Sequence, residues 1–203
     1  MEKDDSEAAK WLRTAAEGGN AEGQCYLGDC YASGRGVEKN EAEAVKWYRK
    51  SAEQGNPVGQ DHLGLCFEFG RGVTADDTEA AKWFRKSAEQ DYPNAQNNLG
   101  GCYERGRSVA HNDLKAARWY RKAAEQGYAP AQNNIGLYYA AGRGVEKNDV
   151  EAYKWLNLSA EQGTEEARVT LRNMENRMTK DQISEGQRLS REFKARPMMT
   201  NGQ

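Results

Sequence analysis

Cysteine and histidine are the side chains of this sequence that could do metal or nucleophilic chemistry, and the chain holds four cysteines and two histidines. His62 and Cys66 are four residues apart, so they would share one face of a helix, and Cys30 lies 36 residues before Cys66. Thiolate and imidazole are common zinc ligands. The chain nevertheless has no Cys-x-x-Cys pair and no second histidine nearby, so the sequence predicts no metal site and no cofactor.

Catalytic motifs are also missing from the sequence. It contains no G-x-S-x-G, no H-E-x-x-H, and none of the S-x-x-K, S-D-N or K-T-G set of penicillin-recognising enzymes. With His111 interpreted as a solvated loop residue, no Ser-His or Cys-His pair is expected. The glycine-arginine turns that begin at residues 34, 70, 106 and 142 lack the spacing and the lysine of a phosphate-binding P-loop. The protein is therefore predicted not to be an enzyme.

The elements that carry these residues follow from a strict period in the sequence. Tryptophan recurs every 36 residues, at Trp11, Trp47, Trp83, Trp119 and Trp155. Such a period is typical of a repeat that buries its apolar face by stacking on its neighbours. We divide the chain into an N-terminal half repeat (1–20), four full repeats (21–56, 57–92, 93–128 and 129–164), C-terminal capping helices (165–196) and a tail (197–203) expected to be disordered.

Each full repeat is predicted to contain a first helix (helix A), a glycine-rich turn and a second helix (helix B). Asn40 with Glu43, and its copies Asp76 with Glu79 and Asn148 with Glu151, have the pattern of a capping box at the start of helix B. Asn112 keeps only the cap, because Lys115 replaces the acid. The residues expected to end helix B in a left-handed conformation are Gly55, Asp91, Gly127 and Gly163.

A glycine recurs in the middle of helix A, at Gly28, Gly64, Gly100 and Gly136. Glycine costs a helix about 1 kcal/mol relative to alanine, so we expect it to permit close helix contact. The alanines of helix B and the tryptophans are the expected partners, and loss of one tryptophan would cost roughly 3 to 5 kcal/mol. The turn arginines, such as Arg143, are expected to donate hydrogen bonds between repeats.

The pattern A-x-x-x-L-G-x-x-Y-x-x-G-x-G-V, seen from Ala131 to Val145, followed by K-W-Y-x-K-A-A-E-Q-G, as in Arg118 to Gly127, resembles the Sel-1-like repeat family, which is related to the tetratricopeptide repeats. The resemblance covers residues 5 to about 178, and the segment from Met178 to Phe193 looks like the closing helix of bacterial members, with a capping box at Thr179 and Gln182. It implies an all-α, right-handed α/α superhelical solenoid of helix-turn-helix repeats that serves as a protein interaction adaptor.

Composition excludes several classes of partner. The chain is 37% hydrophobic and 30% charged, with a formal net charge of −2, so neither nucleic acid nor an anionic membrane is expected as a ligand. No apolar run approaches 18 residues and no signal peptide is evident. Since Cys30, Cys66 and Cys102 occupy one repeat position, four reduced thiols are expected, three of them in the core, which favours a cytoplasmic location. A monomer is the expected oligomeric state.

Helix A positions that vary between repeats are the candidates for binding, because positions fixed in register serve folding. An amide side chain both donates and accepts, so a row of asparagines can pair with the backbone of an extended peptide. Leucine and phenylalanine would add apolar pockets, and an arginine could bind a carboxylate. The candidate residues on the concave helix A face are Asp61, Leu65, Phe69, Asn97, Asn98, Arg105, Asn133, Asn134 and Leu137.

Two functions remain open at this point. The first is a non-enzymatic scaffold that binds a peptide or protein segment on the helix A face. The alternative is a self-assembling structural repeat protein, which would be sensitive to changes at its ends, such as Ile183 or Phe193. A β-lactamase-like hydrolase is a remote third possibility that rests only on a label carried by some cysteine-rich relatives. The asparagines could equally bond neighbouring repeats or water.

Overall fold

A computed structural model of the protein describes residues 2–194. Within that range all the regular secondary structure is helical, with no strand. The helices are α1 (Glu2–Glu17), α2 (Ala21–Ser33), α3 (Glu41–Glu53), α4 (Pro57–Phe69), α5 (Asp77–Ala88), α6 (Pro93–Arg105), α7 (Asp113–Glu125), α8 (Ala129–Ala141), α9 (Asp149–Glu161), α10 (Glu165–Glu175) and α11 (Lys180–Glu192). The predicted all-α class of tandem helix-turn-helix repeats is confirmed, and the predicted disordered tail lies outside the described residues.

The chain forms two compact units with their boundary between Gln90 and Asp91. In the first unit, α1 packs on α2, α2 on α3, α3 on α4 and α4 on α5. In the second unit, the same order runs from α6 to α9, and both α10 and α11 pack on α9. Helix A of the repeats is therefore α2, α4, α6 and α8, while helix B is α1, α3, α5, α7 and α9.

Side-chain caps begin the B helices, as the sequence predicts. Asn40 Oδ1 accepts a hydrogen bond of 3.1 Å from the Glu43 amide, and Asn112 Oδ1 accepts one of 2.8 Å from the Lys115 amide. The returning half of the capping box differs from the prediction, because Glu43 Oε1 accepts from Lys46 Nζ one turn on. A full capping box does form at Thr179, as predicted for the closing helix. A one-turn ion pair thus replaces half of the box at Glu43.

The mid-helix glycines permit close packing, but their partner is not the predicted one. A Cβ atom at Gly64 would lie 2.6 Å from Cε1 of Phe84, the residue after Trp83. Phe84 is fully buried, whereas Trp11 is 70% exposed and Trp47 is only half-buried. The same pairing recurs at Gly28 with Tyr48, Gly100 with Tyr120 and Gly136 with Leu156. The residue that follows each tryptophan therefore fills the core beside the glycine, and the prediction that every tryptophan does so is wrong.

A buried glutamine on each helix A bonds to the helix B that follows it, and Gln24, Gln60 and Gln132 also bond to the helix B before them. In the first unit, Gln60 Nε2 donates a hydrogen bond of 3.2 Å to the Ala52 carbonyl before it. Gln60 Oε1 accepts one of 2.8 Å from Gln90 Nε2 after it. Equivalent glutamine pairs are Gln24 with Gln54, Gln96 with Gln126 and Gln132 with Gln162. Because these amides are buried, each bond satisfies groups that would otherwise destabilise the junction between helices.

The glycine-arginine turns that begin at residues 34, 70 and 142 lie against the preceding B helix. Gly144 has a φ of 61°, and a Cβ atom there would overlap the carbonyl of Asp113 at the start of α7. Arg143 Nη2 donates a hydrogen bond of 2.8 Å to Asp113, and Nη1 donates one of 2.9 Å to Glu104. The prediction that the turn arginines bond between repeats is confirmed for Arg143. Glycine is required in this turn because two backbones meet there.

The closing helices complete the core of the second unit. Gly186 on α11 contacts the ring of Tyr153, where an added Cβ atom would lie 2.7 Å from Cδ1. Ile183 packs on the cluster that contains Tyr153 and Leu156. Phe193 makes an edge contact with Trp155 at a centroid distance of 5.3 Å. Ile183 and Phe193, selected from the sequence as self-assembly sites, therefore serve internal packing.

Candidate functional site

The nine candidate residues of the helix A face differ widely in exposure. Asp61 is 1% exposed and Asn133 is 5% exposed, so the prediction that this whole row is open to solvent is wrong at these two positions. Both residues directly follow the buried glutamine of their helix, and Cys25 is buried at the same position of α2. Leu65, Asn97, Asn98 and Asn134 are half-buried, and Phe69, Arg105 and Leu137 are exposed.

In the second unit, asparagines form a direct bond between successive A helices. Asn134 Nδ2 on α8 donates a hydrogen bond of 2.9 Å to Asn97 Oδ1 on α6. The neighbouring Asn133 Oδ1 is buried and accepts no hydrogen bond among the residues described. Leu137, one turn further along α8, is 40% exposed. This surface therefore combines an amide pair, an unsatisfied buried acceptor and an exposed apolar side chain.

Arg105 lies over the end of α6. A Cβ atom at Gly101 would come within 2.9 Å of Arg105 Nη1, so the guanidinium is folded back along its own helix. Glycine at residue 101 leaves the room for this conformation. The charged group is thereby held beside Gly101 rather than extended beyond the end of the helix.

In the first unit, the candidate face is more apolar. Phe69 at the end of α4 is 58% exposed, and the Arg71 guanidinium lies 4.9 Å from its ring centroid. Leu65 is half-buried one turn earlier on the same helix. Tyr26 on α2 is 50% exposed, although the sequence analysis did not select it. Tyr26 could have been identified from the sequence, because later repeats have histidine or asparagine at the same position.

A cluster of cysteine, aspartate and histidine joins α2 and α4 in the first unit. His62 Nδ1 lies 3.1 Å from Asp29 Oδ1 and 3.8 Å from Cys25 Sγ. One ligand atom from each of the three residues lies within 4.8 Å of the other two. The sequence analysis had considered His62 with Cys66 and Cys30 and expected no Cys-His pair, so it missed this contact. The missed signal was that Cys25 and Asp29 are one turn apart and His62 follows Cys25 by 37 residues.

The geometry of the cluster does not match a catalytic triad. In a triad, the nucleophile and the carboxylate contact different ring nitrogens of the histidine. Here Cys25 and Asp29 both contact Nδ1, and Cys25 is only 2% exposed. Burial lowers the pKa of His62, but the bonds to Asp29 and Cys25 outweigh it and raise that pKa to about 10. The imidazole is therefore a charged hydrogen-bond partner near neutral pH rather than a general base.

The cluster opens on one side into a cleft. The cleft has a volume of about 490 Å³ and is lined by Asp29, Tyr48, His62, Leu65, Cys66 and Arg71. Tyr48 donates a hydrogen bond of 2.8 Å to Asp29 Oδ1, and its ring makes an edge contact with His62. The thiol of Cys66 also lies here, and burial raises its pKa to about 11. Cys66 is therefore protonated at neutral pH.

All four cysteines are free, as predicted, and all four are buried, although only three were expected to occupy a core position. The second unit carries a separate charged network around Arg143. The Arg143 guanidinium holds the pKa of Asp113 below its usual range. Tyr120 donates a hydrogen bond of 2.6 Å to Glu104, and burial together with Glu104 raises the pKa of Tyr120 well above its usual value. This network fixes the turn of the last repeat to the helices before it.

A model of the Sel1 repeat matches residues 1–20, 21–56, 57–92, 93–128 and 129–164. The chain belongs to the Sel1 repeat family. Proteins of this family commonly act as protein interaction scaffolds and are generally not catalytic. No curated protein matches the chain.

Solved Sel1 repeat structures resemble the chain closely. The protective antigen c5321 of uropathogenic Escherichia coli, which displays an SLR fold, is 38% identical with a TM-score of 0.84 over 92% of this chain and 40% of its own. A Sel1 repeat protein of Oxalobacter formigenes is 37% identical with a TM-score of 0.76 over 84% of this chain and 49% of its own. The cysteine rich protein B of Helicobacter pylori is 26% identical with a TM-score of 0.53 over 66% of this chain and 96% of its own. The chain thus spans less than half the length of the first two proteins.

Among residues 2–194, no helix is both long enough and apolar enough to cross a lipid bilayer.

Proposed function

We propose that this Sel1 repeat chain is a non-enzymatic scaffold that binds an extended segment of a partner protein along its A helices. The main support for this proposal is that the Oδ1 atom of Asn133 is buried and has no hydrogen-bond donor among the described residues. Leaving a buried acceptor without a donor costs about 1 to 3 kcal/mol. A backbone N–H of a bound peptide is a donor of the right kind, and a small rotation of the side chain would present the oxygen to it.

The surroundings of Asn133 suit a peptide backbone. The bond between Asn134 and Asn97 leaves both amide protons of Asn97, and one amide proton and the carbonyl oxygen of Asn134, for further bonds. Leu137 offers an exposed apolar contact beside them. Alternating donors, acceptors and apolar contacts are the groups with which an extended chain is recognised. Asn97, Asn98, Arg105, Asn133, Asn134 and Leu137 form the proposed contact set of the second unit.

The first unit offers a second, more apolar contact set. Leu65 and Phe69 lie one turn apart on α4, next to the buried Asp61, and Phe69 is more than half exposed. Exposed aromatic side chains are enriched among the residues that carry binding energy. We propose that these side chains take apolar residues of a partner. Four buried, free thiols suit a reducing compartment, so we place this interaction in the cytoplasm.

The test is selection of peptides from a displayed random library, followed by affinity measurement of the selected peptides. The double variant Asn97→Ala/Asn133→Ala is compared with wild type and with Lys82→Ala, which removes only an exposed ion pair to Glu79 on α5. We expect at least tenfold weaker binding for the double variant and unchanged binding for Lys82→Ala, with equal helicity by circular dichroism. Equal affinity of all three proteins would reject the contact set.

Self-assembly has one observation in its favour. Trp11 on α1 is 70% exposed, although the equivalent Trp83 and Trp155 are buried. A second copy that covers Trp11 would bury about the same surface that the later repeats bury. Sedimentation across a concentration series decides this alternative, since a mass that rises with concentration in wild type but not in Trp11→Ala would support it.

A further inference from the structure

We propose that Cys25, Asp29 and His62 form a Zn²⁺ site that bridges α2 and α4 in the first unit. None of these three residues belongs to the proposed peptide contacts, although Leu65 of that set lines the same cleft. It uses three residues that the scaffold function leaves unexplained. Within the described residues, they are the one group of three or more histidine, cysteine and acidic side chains close enough together to hold a metal ion.

The distances between the three ligand atoms suit tetrahedral zinc. Zinc binds sulfur at about 2.3 Å, imidazole nitrogen at about 2.0–2.1 Å and carboxylate oxygen at about 2.0–2.2 Å, which places neighbouring ligand atoms roughly 3.3–3.6 Å apart. In the protein, Nδ1 of His62 lies 3.1 Å from Asp29 Oδ1 and 3.8 Å from Cys25 Sγ. The three ligand atoms all lie within 4.8 Å of one another, so shifts of about 1 Å or less would bring them to the zinc geometry.

The backbone already fixes the three side chains on facing elements. Cys25 and Asp29 are one turn apart on α2, so they point from the same helix face. His62 approaches from α4, one repeat later, and the two A helices are in contact. Tyr48 from α3 donates its hydroxyl hydrogen bond to Asp29 Oδ1, and such a partner orients a carboxylate ligand. Three helices therefore hold the ligand set before any metal binds.

Access and the fourth ligand come from the cleft. The side chains of His62 and Asp29 are 27% and 35% exposed, whereas Cys25 is buried behind them. The cleft of about 490 Å³ is lined by Asp29 and His62, so a water molecule can complete the coordination from that side. Three protein ligands and one open position are typical of accessible zinc sites.

The donor set decides the class of metal. A thiolate with an imidazole favours zinc or another borderline transition metal, while Mg²⁺ and Ca²⁺ require oxygen ligands. Binding forms three coordinate bonds to Zn²⁺ and releases the Cys25 thiol proton and the Nδ1 proton of His62 to solvent. No electron is transferred. The result is a metal link between two successive A helices.

The experiment titrates the reduced, chelator-treated full chain with Co²⁺ as a spectroscopic substitute and with Zn²⁺ by calorimetry. We expect one metal ion per chain, a sulfur-to-cobalt charge-transfer band in the near ultraviolet, and a higher melting temperature with Zn²⁺. Absence of the band and of zinc binding in wild type would overturn the proposal. The cluster would then be a hydrogen-bonded contact between repeats.

Five variants assign the ligands. We expect zinc affinity to fall by at least about tenfold in each of Cys25→Ser, Asp29→Asn and His62→Asn. A loss of about tenfold is the smallest usually seen when a residue that only orients a ligand is replaced, so loss of a ligand itself should cost no less. Cys66→Ser, in the same cleft, and His111→Gln, from the other histidine beside an aspartate, should bind as wild type does. Asp29→Asn keeps a hydrogen-bond acceptor for Tyr48. It therefore still tests metal binding if Cys25→Ser lowers the stability of the metal-free protein. Retention of the band in Cys25→Ser, or its loss in Cys66→Ser, would contradict the assignment.

Discussion

Asn134 bonds to Asn97 across 37 residues, and His62 contacts Cys25 across the same 37 residues. Neighbouring A helices are therefore in contact one residue out of register with the 36-residue repeat. The pairs lie in different units, so the offset is a property of the repeat itself. It places Asn134, the second residue of the pair Asn133 and Asn134, beside Asn97, the first residue of the pair in the repeat before it.

Asn133→Ala should cost little stability. The substitution removes a buried acceptor without a donor among residues 2–194, and such an acceptor costs about 1 to 3 kcal/mol. This gain offsets the packing that is lost with the side chain. Asn97→Ala removes an acceptor that is bonded to Asn134, and should cost about 0.5 to 1.5 kcal/mol. Urea denaturation of both variants checks the order, and a loss for Asn133→Ala greater than that for Asn97→Ala would contradict it.

Gly64→Ala should destabilise the first unit by about 1 to 3 kcal/mol, the usual effect of overpacking. The new Cβ atom would lie 2.6 Å from the Phe84 ring, which has no free space to move into. Gly101→Ala is the matched control, because its Cβ atom would meet the flexible end of Arg105. Thermal melts should show a lower midpoint for Gly64→Ala alone. A fall of similar size in both variants would indicate a backbone effect instead.

Phe84→Ala should cost about 3 to 5 kcal/mol, because it opens a cavity at a fully buried aromatic position. Trp11→Ala, at a 70% exposed position, should change the free energy of unfolding by no more than about 0.5 kcal/mol. Chemical denaturation of the two variants makes the comparison. If Trp11→Ala proved the more damaging, the core assignment to the residue after tryptophan would fail.

Alkaline pH should destabilise the second unit through Tyr120. Its pKa is raised in the folded state by burial and by Glu104, so the folded protein keeps the phenol proton that the unfolded chain loses. Stability from this source is fully present below the unfolded tyrosine pKa of about 10 and falls as pH rises above it.

Denaturation midpoints of wild type and Tyr120→Phe at several pH values above 9 would measure the effect. The wild-type midpoint should fall more steeply with pH, while the variant should be less stable below pH 9, because it lacks the bond to Glu104. Parallel pH profiles for the two proteins would show that Tyr120 does not titrate differently on folding.

Local features of the fold could be predicted from the sequence because they depend on residues close in the chain. One or two neighbouring residues determine each of these features, which include the caps at Asn40 and Thr179 and the left-handed residues Gly55 and Asp91. The tryptophan period likewise sets the length of every repeat. The identity of the core residue was harder, because a step of one residue rotates a helix position by about 100°. Tyr48 and Trp47 therefore have similar patterns but different burial, since Tyr48 is buried and Trp47 is half-buried.

The side-chain cluster of Cys25, Asp29 and His62 could not be predicted by aligning the repeats. Alignment compares positions that are 36 residues apart, whereas the contact joins residues that are 37 apart. Asp61 and Asn133 were misplaced for a related reason, since variation between repeats was taken as a sign of exposure. Burial of both shows that a repeat can vary a residue in its interior as well.

The recurring glutamine pairs make the junctions of the chain interchangeable. Gln60 with Gln90 and Gln132 with Gln162 join their helices with the same atoms at the same distance of 2.8 Å. A duplication or deletion of 36 residues, begun at any point, therefore supplies each junction with an equivalent partner. Unequal recombination within the gene can lengthen or shorten such an array by whole repeats. The length of the helix A surface can therefore change in evolution without a new fold.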